Sequence, residues 1–487
     1  MKCYKIKANR TFIGRTLERE RLLAITKSAT ASIVVVYGRR RVGKTALIEQ
    51  VLGGRNLLKF EGIEGQPEAR QRRHFLLQLS EYAGDPMIAK LRLSTWTEVF
   101  QTLFKYTSKG VWTLFFDEVQ WLAAYKTRLI AELKFVWDNS FKQNQSLILV
   151  LCGSSPSFII KKILRSKALY NRSQYEIPLQ EFPLVDTKSF LKSARSAREV
   201  MDATLTVGGI PEYLKYLDGG SSVFLGLCQH AFTQGGFFTN EYQRIFSSSL
   251  GDNPDYMKVI CFLSRRPHVT RREIAKHLRT SSGGRLTNLL HDLELCGFVT
   301  KYTPFQLKQD SLISRYVISD QYLQFYFRFI APLHAEIQDG QFDHNPAKPL
   351  NSDAYDQWLA YSFERYCRKH HHIIAKLLNF GAVSYRSGAF FNRETEKLSK
   401  GFQIDLVFER KDKVHTVCEI KYSRVPVTKS IIVEFEKKLA LFPKKTSFTL
   451  EKVLITAEGV DSAVKREGYF DSVITLDDIF AVGCSAV

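Results

Sequence analysis

The sequence predicts an α/β fold: a core built on a parallel sheet, a helical lid, a small helical unit with a β-hairpin, and a second α/β unit near the C-terminus. Three observations predict it. From residue 12 to about 180, short apolar runs alternate with helical patterns, the signature of a parallel sheet with crossover helices. From about 181 to 246 the pattern turns mainly helical. Residues 402–409 and 414–422 alternate apolar and polar side chains on either side of Lys411-Asp412-Lys413, which reads as a hairpin. The division that follows is 1–180 for the core, 181–250 for the lid, 251–335 for the third unit, 336–353 for a linker carrying Gly, Asn and Pro, and 354–487 for the last unit.

A chain of 487 residues has room for about three domains. Hydrophobic residues make up 45% and charged residues 24%, which excludes a largely disordered chain. Lys and Arg number 70 against 49 Asp and Glu, a formal charge of +21. That excess points to a polyanionic partner, most simply nucleic acid, although composition alone does not separate this from a membrane surface. The opening MKCYKIKANRTF lacks an apolar segment, so no secretory signal is expected. The longest apolar runs are strand-sized, far short of the ~20 residues that span a bilayer. Eight scattered Cys without a CxxC pair indicate neither zinc nor a disulfide framework, and a reduced cytoplasmic location is expected.

The run SIVVVYGRRRVGKTALIEQV carries the strongest signal. Residues 32–37 read as a buried strand, Lys44-Thr45 opens a helix, and Gly38-Arg39-Arg40-Arg41-Val42-Gly43 joins them. This is G-x-x-x-x-G-K-[ST] in its strand, loop and helix context. Glycines let backbone N–H groups curl around phosphate oxygens, and the helix N-terminus adds partial positive charge. Lys44 is expected to reach the β- and γ-phosphates of ATP, and the Thr45 hydroxyl to ligate Mg2+. A second strand over 112–116 ends in Asp117-Glu118. Asp117 is expected to hold Mg2+ through its water shell, and Glu118 to orient or deprotonate the attacking water. A third strand over 147–152 ends in Gly153-Ser154-Ser155. Ser154 is the expected contact to the γ-phosphate or the water, with Ser155 close behind and helix capping as the equal alternative.

Phe12-Ile13-Gly14-Arg15 with Glu18, the loop GRRRVGKT and the strands FFDEVQWL and LVLCGSSPSF together resemble AAA+-type ATPases. The resemblance is greatest to the prokaryotic group called archaeal-type ATPases, related to the signalling STAND NTPases. Leu169-Tyr170-Asn171-Arg172 and Gly208-Gly209-Ile210-Pro211-Glu212-Tyr213-Leu214 are further matches. The resemblance implies that Arg172 is an arginine finger or γ-phosphate sensor, here preceded by Asn171 where relatives carry Gly. A cation there offsets charge that builds during transfer. It also implies that residues 208–214 form the lid loop, with Pro211 and Tyr213 near the nucleotide, and that residues 12–15 frame the adenine. The loop offers no Arg in the second-sensor role.

In the third unit a helix is expected over 255–265. Thr270-Arg271-Arg272-Glu273 is a capping box that opens a second helix. Ser281-Ser282 precede a third, running to about 295, and a strand from 297–299 returns over 315–318. Three helices and a β-wing resemble a winged helix. Arg285, Asn288 and His291 share one helical face. That face would meet a DNA major groove, with Arg271 and Arg272 on phosphates. A unit that couples its neighbours without touching DNA is the equal alternative. Residues 321–330 form a strongly aromatic helix, expected in the core.

In the last unit a helix over 354–378 contains Glu364. Alternation puts Ile404, Leu406 and Phe408 on one face with Thr416, Cys418 and Ile420, and turns Asp405, Glu419 and Lys421 to the other. A three-residue turn sets Asp405 across from Glu419. The pair suits one or two Mg2+ ions, with Lys421 positioning a water and Glu364 completing the shell. The order helix Glu, strand Asp, strand Glu-x-Lys resembles the PD-(D/E)XK nuclease superfamily, with its restriction-endonuclease-like fold. The whole unit resembles the C-terminal domains that accompany archaeal-type ATPases, although Gln403 stands where many of those carry Glu. A salt-bridged pair on a solvated sheet is the plain alternative. His370-His371-His372 point in different directions on a helix and are not expected to chelate together.

The expectation is therefore a P-loop, AAA-type, Mg2+-dependent ATPase whose nucleotide state controls a DNA-binding C-terminal domain, with DNA cleavage as an added activity. DNA is the expected partner, a homo-oligomer is left open, and no membrane is involved. Two alternatives stand beside it: an ATP-driven STAND-like switch with an inactive nuclease-like scaffold, and a winged-helix regulator that binds DNA without cutting.

Overall fold

Residues 33–36 are apolar and β-branched with no polar alternation, and with Ser32 and Tyr37 they form β1 (Ser32–Tyr37), a strand buried along nearly its whole length. In the computed structural model the described residues are 1–4, 12–166, 173–250, 253–266, 268–305, 314–392, 402–443 and 446–484. Four strands join β1 in parallel: β2 (Asn56–Glu61), β3 (Trp112–Asp117), β4 (Ile148–Gly153) and β5 (Ser173–Pro178). Their order is β2-β3-β4-β1-β5. Tyr37 pairs with Gly153 and Phe116 with Leu151, so the carboxyl ends of β1, β3 and β4 lie side by side. The chain leaves β1 toward one edge and returns to its other side at β5, which places a ligand crevice at the carboxyl end of β1.

Each face of this sheet carries its own apolar layer. Phe60, Phe116 and Leu149 pack with Phe75, Trp96 and Phe100 from helices Glu68–Ala83 and Trp96–Thr107. Val34, Val36 and Phe115 pack with Leu22 and Leu47 from helices Thr16–Thr26 and Lys44–Leu52 on the opposite face.

Residues 181–250, the segment expected as a lid, comprise helices Leu184–Phe190, Ala197–Val207, Pro211–Asp218, Val223–Ala231 and Phe237–Leu250. The third unit has helices Pro254–Ser264, Arg271–His277 and Gly284–Leu295. Its small antiparallel sheet has β6 (Val269–Thr270), β7 (Val299–Tyr302) and β8 (Arg315–Ile318) in the order β6-β8-β7. The capping box forms: the Glu273 amide donates to Thr270 Oγ1 and the Thr270 amide to Glu273 Oε2. Helix Gln321–Phe325 continues into a wider turn over Tyr326–Ile330, and Phe325, Tyr326 and Ile330 are buried. The segment expected as a linker is packed onto the lid. Asp343 Oδ1 accepts from the Gln234 amide at 2.8 Å, and Leu350 is buried.

The last unit departs from expectation in two places. The helix expected over 354–378 is two helices, Ser352–Lys369 and His371–Leu377. His370 closes one and opens the next at φ −104°, ψ 30°, with its ring against Tyr366 and His371 bonded to the Tyr385 hydroxyl. The sheet order is β13-β12-β11-β10-β9, with β9 (Tyr385–Asn392), β10 (Phe402–Arg410), β11 (Val414–Lys421), β12 (Thr449–Thr456) and β13 (Ser472–Ile474). Strand β13 is followed by helix Leu476–Cys484. The turn between β10 and β11 is three residues, closed by Lys413 at φ 63°. Ile404 was expected beside Leu406 and Phe408. It packs instead with Val407, Val417 and Phe435 on the other face, because the β9–β10 register shifts between Ile404 and Val407. An irregularity of this kind re-aims the residues that flank it.

One apolar core runs from the lid through the third unit into one face of the last sheet, from Val200 and Leu214 to Leu406 and Ile455. Aromatic rings stitch it together, with Phe325 and Phe329 against Trp358 and Tyr355.

Candidate functional site

The loop after β1 is shaped by backbone constraints. A side chain at residue 38 would place its Cβ 2.1 Å from the Leu179 carbonyl oxygen, so only glycine fits. Gly43 has φ 90° and Arg41 φ 72°, left-handed conformations that curl the loop before helix Lys44–Leu52. Lys44 is 7% exposed, and its ammonium donates to the Gly38 and Arg39 carbonyls at 3.0 and 2.8 Å. Thr45 Oγ1 donates to Asp117 Oδ2 at 3.0 Å. The same oxygen lies 3.1 Å from the Lys59 ammonium on β2. Burial pulls the Lys59 pKa down, but Asp117 and Glu61 outweigh it and the net shift is upward.

Glu118 follows β3 at φ 49°. Its Oε2 accepts from the Ser154 amide at 3.1 Å, the Ser154 hydroxyl at 2.7 Å and Gln120 Nε2 at 2.6 Å. Ser154 is fully buried, and its neighbour Ser155 donates to the Ser249 carbonyl in the lid at 2.8 Å. The two serines thus have separate partners: Ser154 serves the carboxylate and Ser155 ties β4 to the lid.

The loop arginines turn outward. Arg39 Nη1 pairs with Asp320 of the third unit and lies 3.3 Å from Glu181, with its guanidinium over Phe298. Burial disfavours its charge, yet Asp320 foremost among its neighbours outweighs that and holds the pKa above its usual value. Arg41 lies 3.0 Å from Glu241 of the lid and over Phe237. Glu241 also accepts from the Tyr213 hydroxyl at 2.8 Å. Arg15 donates to the Val42 carbonyl at 3.0 Å, which supports the loop from below, and Arg40 is half-buried. At 39 and 41, only the backbone is therefore offered to a phosphate. Tyr213, expected near the nucleotide, is buried among Phe237, Phe238 and Tyr322. Arg172, with residues 169–171, lies outside the described residues.

The arrangement has the parts of a triphosphate site. The N-terminus of helix Lys44–Leu52 follows the carboxyl end of β1, and its first lysine is held by two loop carbonyls, which leaves a third N–H for a phosphate. The Thr45 hydroxyl and Asp117 carboxylate are hard oxygen donors brought together, which fits Mg2+. Lys59, Gln120, Glu181, Glu241 and Asp320 were not found from sequence. Lys59 left a signal, a lone charge between Leu58 and Phe60 in an apolar run.

In the last unit the β10–β11 register runs from Glu409 with His415 to Leu406 with Cys418, one step short of Asp405 and Glu419. Asp405 Oδ2 accepts from the Ile420 amide at 3.0 Å. Gln403 Nε2 is 3.4 Å from both Asp405 Oδ1 and Glu364 Oε2, which brings the helix carboxylate to the strand pair. Burial, then the Asp405 charge, raises the pKa of both Glu364 and Glu419. A lysine outside the expected set dominates here. Lys438, on helix Ser430–Leu441, donates to both oxygens of Glu419 at 2.6 and 2.7 Å. Lys421 is 3.3 Å from Glu419 and 3.3 Å from Glu434. Among the described residues, no group of three or more His, Cys, Asp or Glu side chains is arranged to hold a metal ion. With Glu419 clamped in this way, the arrangement does not fit Mg2+ as it stands.

On the third unit Arg285 is largely exposed and 2.6 Å from Asp255, Asn288 is exposed, and His291 is partly exposed. Arg271 donates to Ser282 Oγ at 2.9 Å and Thr287 Oγ1 at 2.7 Å, which braces the same face. No helix among the described residues is long and apolar enough to cross a membrane.

Residues 12–217 match a family of ATPase domains found predominantly in Archaea, and the match supports ATP binding and hydrolysis. The uncharacterized protein MJECL04 of Methanocaldococcus jannaschii is 24% identical over 413 residues, covering 84% of this chain and 87% of its own. Among solved structures, the Walker-type ATPase PABY2304 of Pyrococcus abyssi is similar with a TM-score of 0.46 and 18% identity, over 66% of this chain and 98% of that one. The ORC2 protein of Aeropyrum pernix, solved in ADPNP and ADP complexes, gives 0.45 and 12% over 70% and 98%.

Proposed function

We propose that this protein is a Mg2+-dependent ATPase whose nucleotide state controls a DNA-binding C-terminal region. The observation that carries the ATPase reading is the meeting of Lys44, Thr45, Asp117, Glu118 and Ser154 at the carboxyl ends of β1, β3 and β4. Lys44 donates to phosphate oxygens through the ammonium that the loop carbonyls position. Thr45 and Asp117 hold Mg2+, which when bound neutralises charge on the phosphates. Glu118 takes the proton of the attacking water, and Ser154 and Gln120 fix the carboxylate through its Oε2. Arg172 retains its sequence-based role of offsetting charge on the γ-phosphate. Calorimetry tests this. Wild type binds ATP and Lys44→Ala does not; equal binding by the two would refute the site.

For the DNA half, support comes from the +21 charge and the face of Arg271, Arg272, Arg285, Asn288 and His291 in a unit that resembles a winged helix. The residues that would carry cleavage are Glu364, Asp405, Glu419 and Lys421. Lys438 favours a second reading, a switch whose nuclease-like part is a scaffold, because an ammonium already occupies both oxygens of Glu419. Incubating DNA with wild type and Asp405→Ala, with and without Mg2+, separates the two: Mg2+-dependent cutting by wild type alone would restore the nuclease reading.

A further inference from the structure

We propose that Arg39 is a positioning residue that carries nucleotide occupancy of the phosphate loop to the third unit through Asp320. The inference rests on reading that loop as an ATP site and specifies how the site is regulated. One residue has both ends engaged. Its carbonyl accepts from the Lys44 ammonium at 2.8 Å, and its guanidinium pairs with Asp320 and Glu181. A phosphate entering the loop competes with the Gly38 and Arg39 carbonyls for the three N–H donors of the Lys44 ammonium, so the peptide at residue 39 is the part of the loop that a nucleotide disturbs. Gly38 is pinned against the Leu179 carbonyl, so the rearrangement falls on the residues after it.

Asp320 is poorly placed to follow. It is 2% exposed and caps helix Gln321–Phe325, accepting from the Leu323 amide at 2.6 Å. A buried carboxylate that loses its cation is strongly destabilised, so the helix it caps has to shift when Arg39 does. Phe298, under the Arg39 guanidinium, belongs to the same unit and precedes β7. Arg41 and Glu241 form the matching tie to residues 181–250, so the loop is tied to both neighbouring parts of the chain. The grip and the nucleotide oppose each other, and by reciprocity whatever loosens the grip tightens nucleotide binding.

The full chain is the reagent. Asp320→Asn keeps the side-chain oxygen that caps Leu323 and removes the charge that holds Arg39. In calorimetric titration its Kd for ATP is expected to fall roughly fivefold or more relative to wild type. In hydrogen exchange, ATP is expected to change protection over residues 315–330 in wild type and to leave it unchanged in the variant. Wild type that binds ATP with no change over 315–330, or a variant with wild-type affinity, overturns the coupling and leaves the ATPase reading intact. Wild type that binds no ATP overturns both. The wild-type exchange measurement decides the question even if the variant does not fold.

Discussion

Ser154 and Gln120 converge on one oxygen of Glu118, so this carboxylate is oriented before any substrate arrives. Glu118→Gln is expected to bind ATP with near wild-type affinity and hydrolyse it about 100-fold or more slowly, because only proton acceptance is lost; phosphate release set against calorimetry reads both. Ser154→Ala removes one donor and is expected to slow turnover about tenfold with little effect on affinity. Lys438 presents the opposite situation, a cation serving a fully buried carboxylate. Lys438→Met is expected to cost on the order of 2 kcal/mol of stability, measured by urea unfolding, since Lys421 keeps only part of the compensation. A loss-free variant would show that Glu419 is neutral in the fold.

At the scale of elements, what the sequence disclosed followed from periodicity. β1, β3 and β4 are continuous apolar runs, and residues 315–318 were placed to the residue. β2 and β5 escaped because Lys59 and Glu61, and the polar pattern SQYEIP, break the apolar signal; the charge in β2 is answered only by Asp117 on the next strand. The face of Ile404 was misjudged for a similar reason, since a register shift depends on the neighbouring strand and leaves no mark on its own. The acidic partners of Arg39 and Arg41 lie hundreds of residues away, beyond any local pattern. The contact between helix Ala197–Val207 and the last unit also has a pH consequence. Tyr422 donates to Asp202 at 2.6 Å. Burial raises the Asp202 pKa to about 6, against the lowering pull of Tyr422 and Arg198. Between about pH 4 and 6 the folded state keeps a proton that the unfolded state releases, so stability falls as pH rises through that window. The fall is on the order of 2 kcal/mol. Asp202→Asn is expected to lose this slope, so its thermal midpoint should gain on wild type between pH 4 and pH 7.

For the molecule as a whole, the charge of +21 is a statement about partners. If about ten phosphates are contacted, DNA affinity is expected to drop by roughly 100,000-fold between 50 and 200 mM salt, and fluorescence anisotropy over that range checks it. A flat salt response would remove nucleic acid as the partner and leave the switch. The apolar core shared by the lid, the third unit and one face of the last sheet bears on how this chain can be divided. Scissors placed in the stretch 336–353 would fall between Phe325 or Phe329 and Trp358, rings that touch across the cut. A 354–487 fragment made alone would present that greasy surface to water and precipitate, whereas the two pieces produced in one cell should co-purify as a nicked but whole particle.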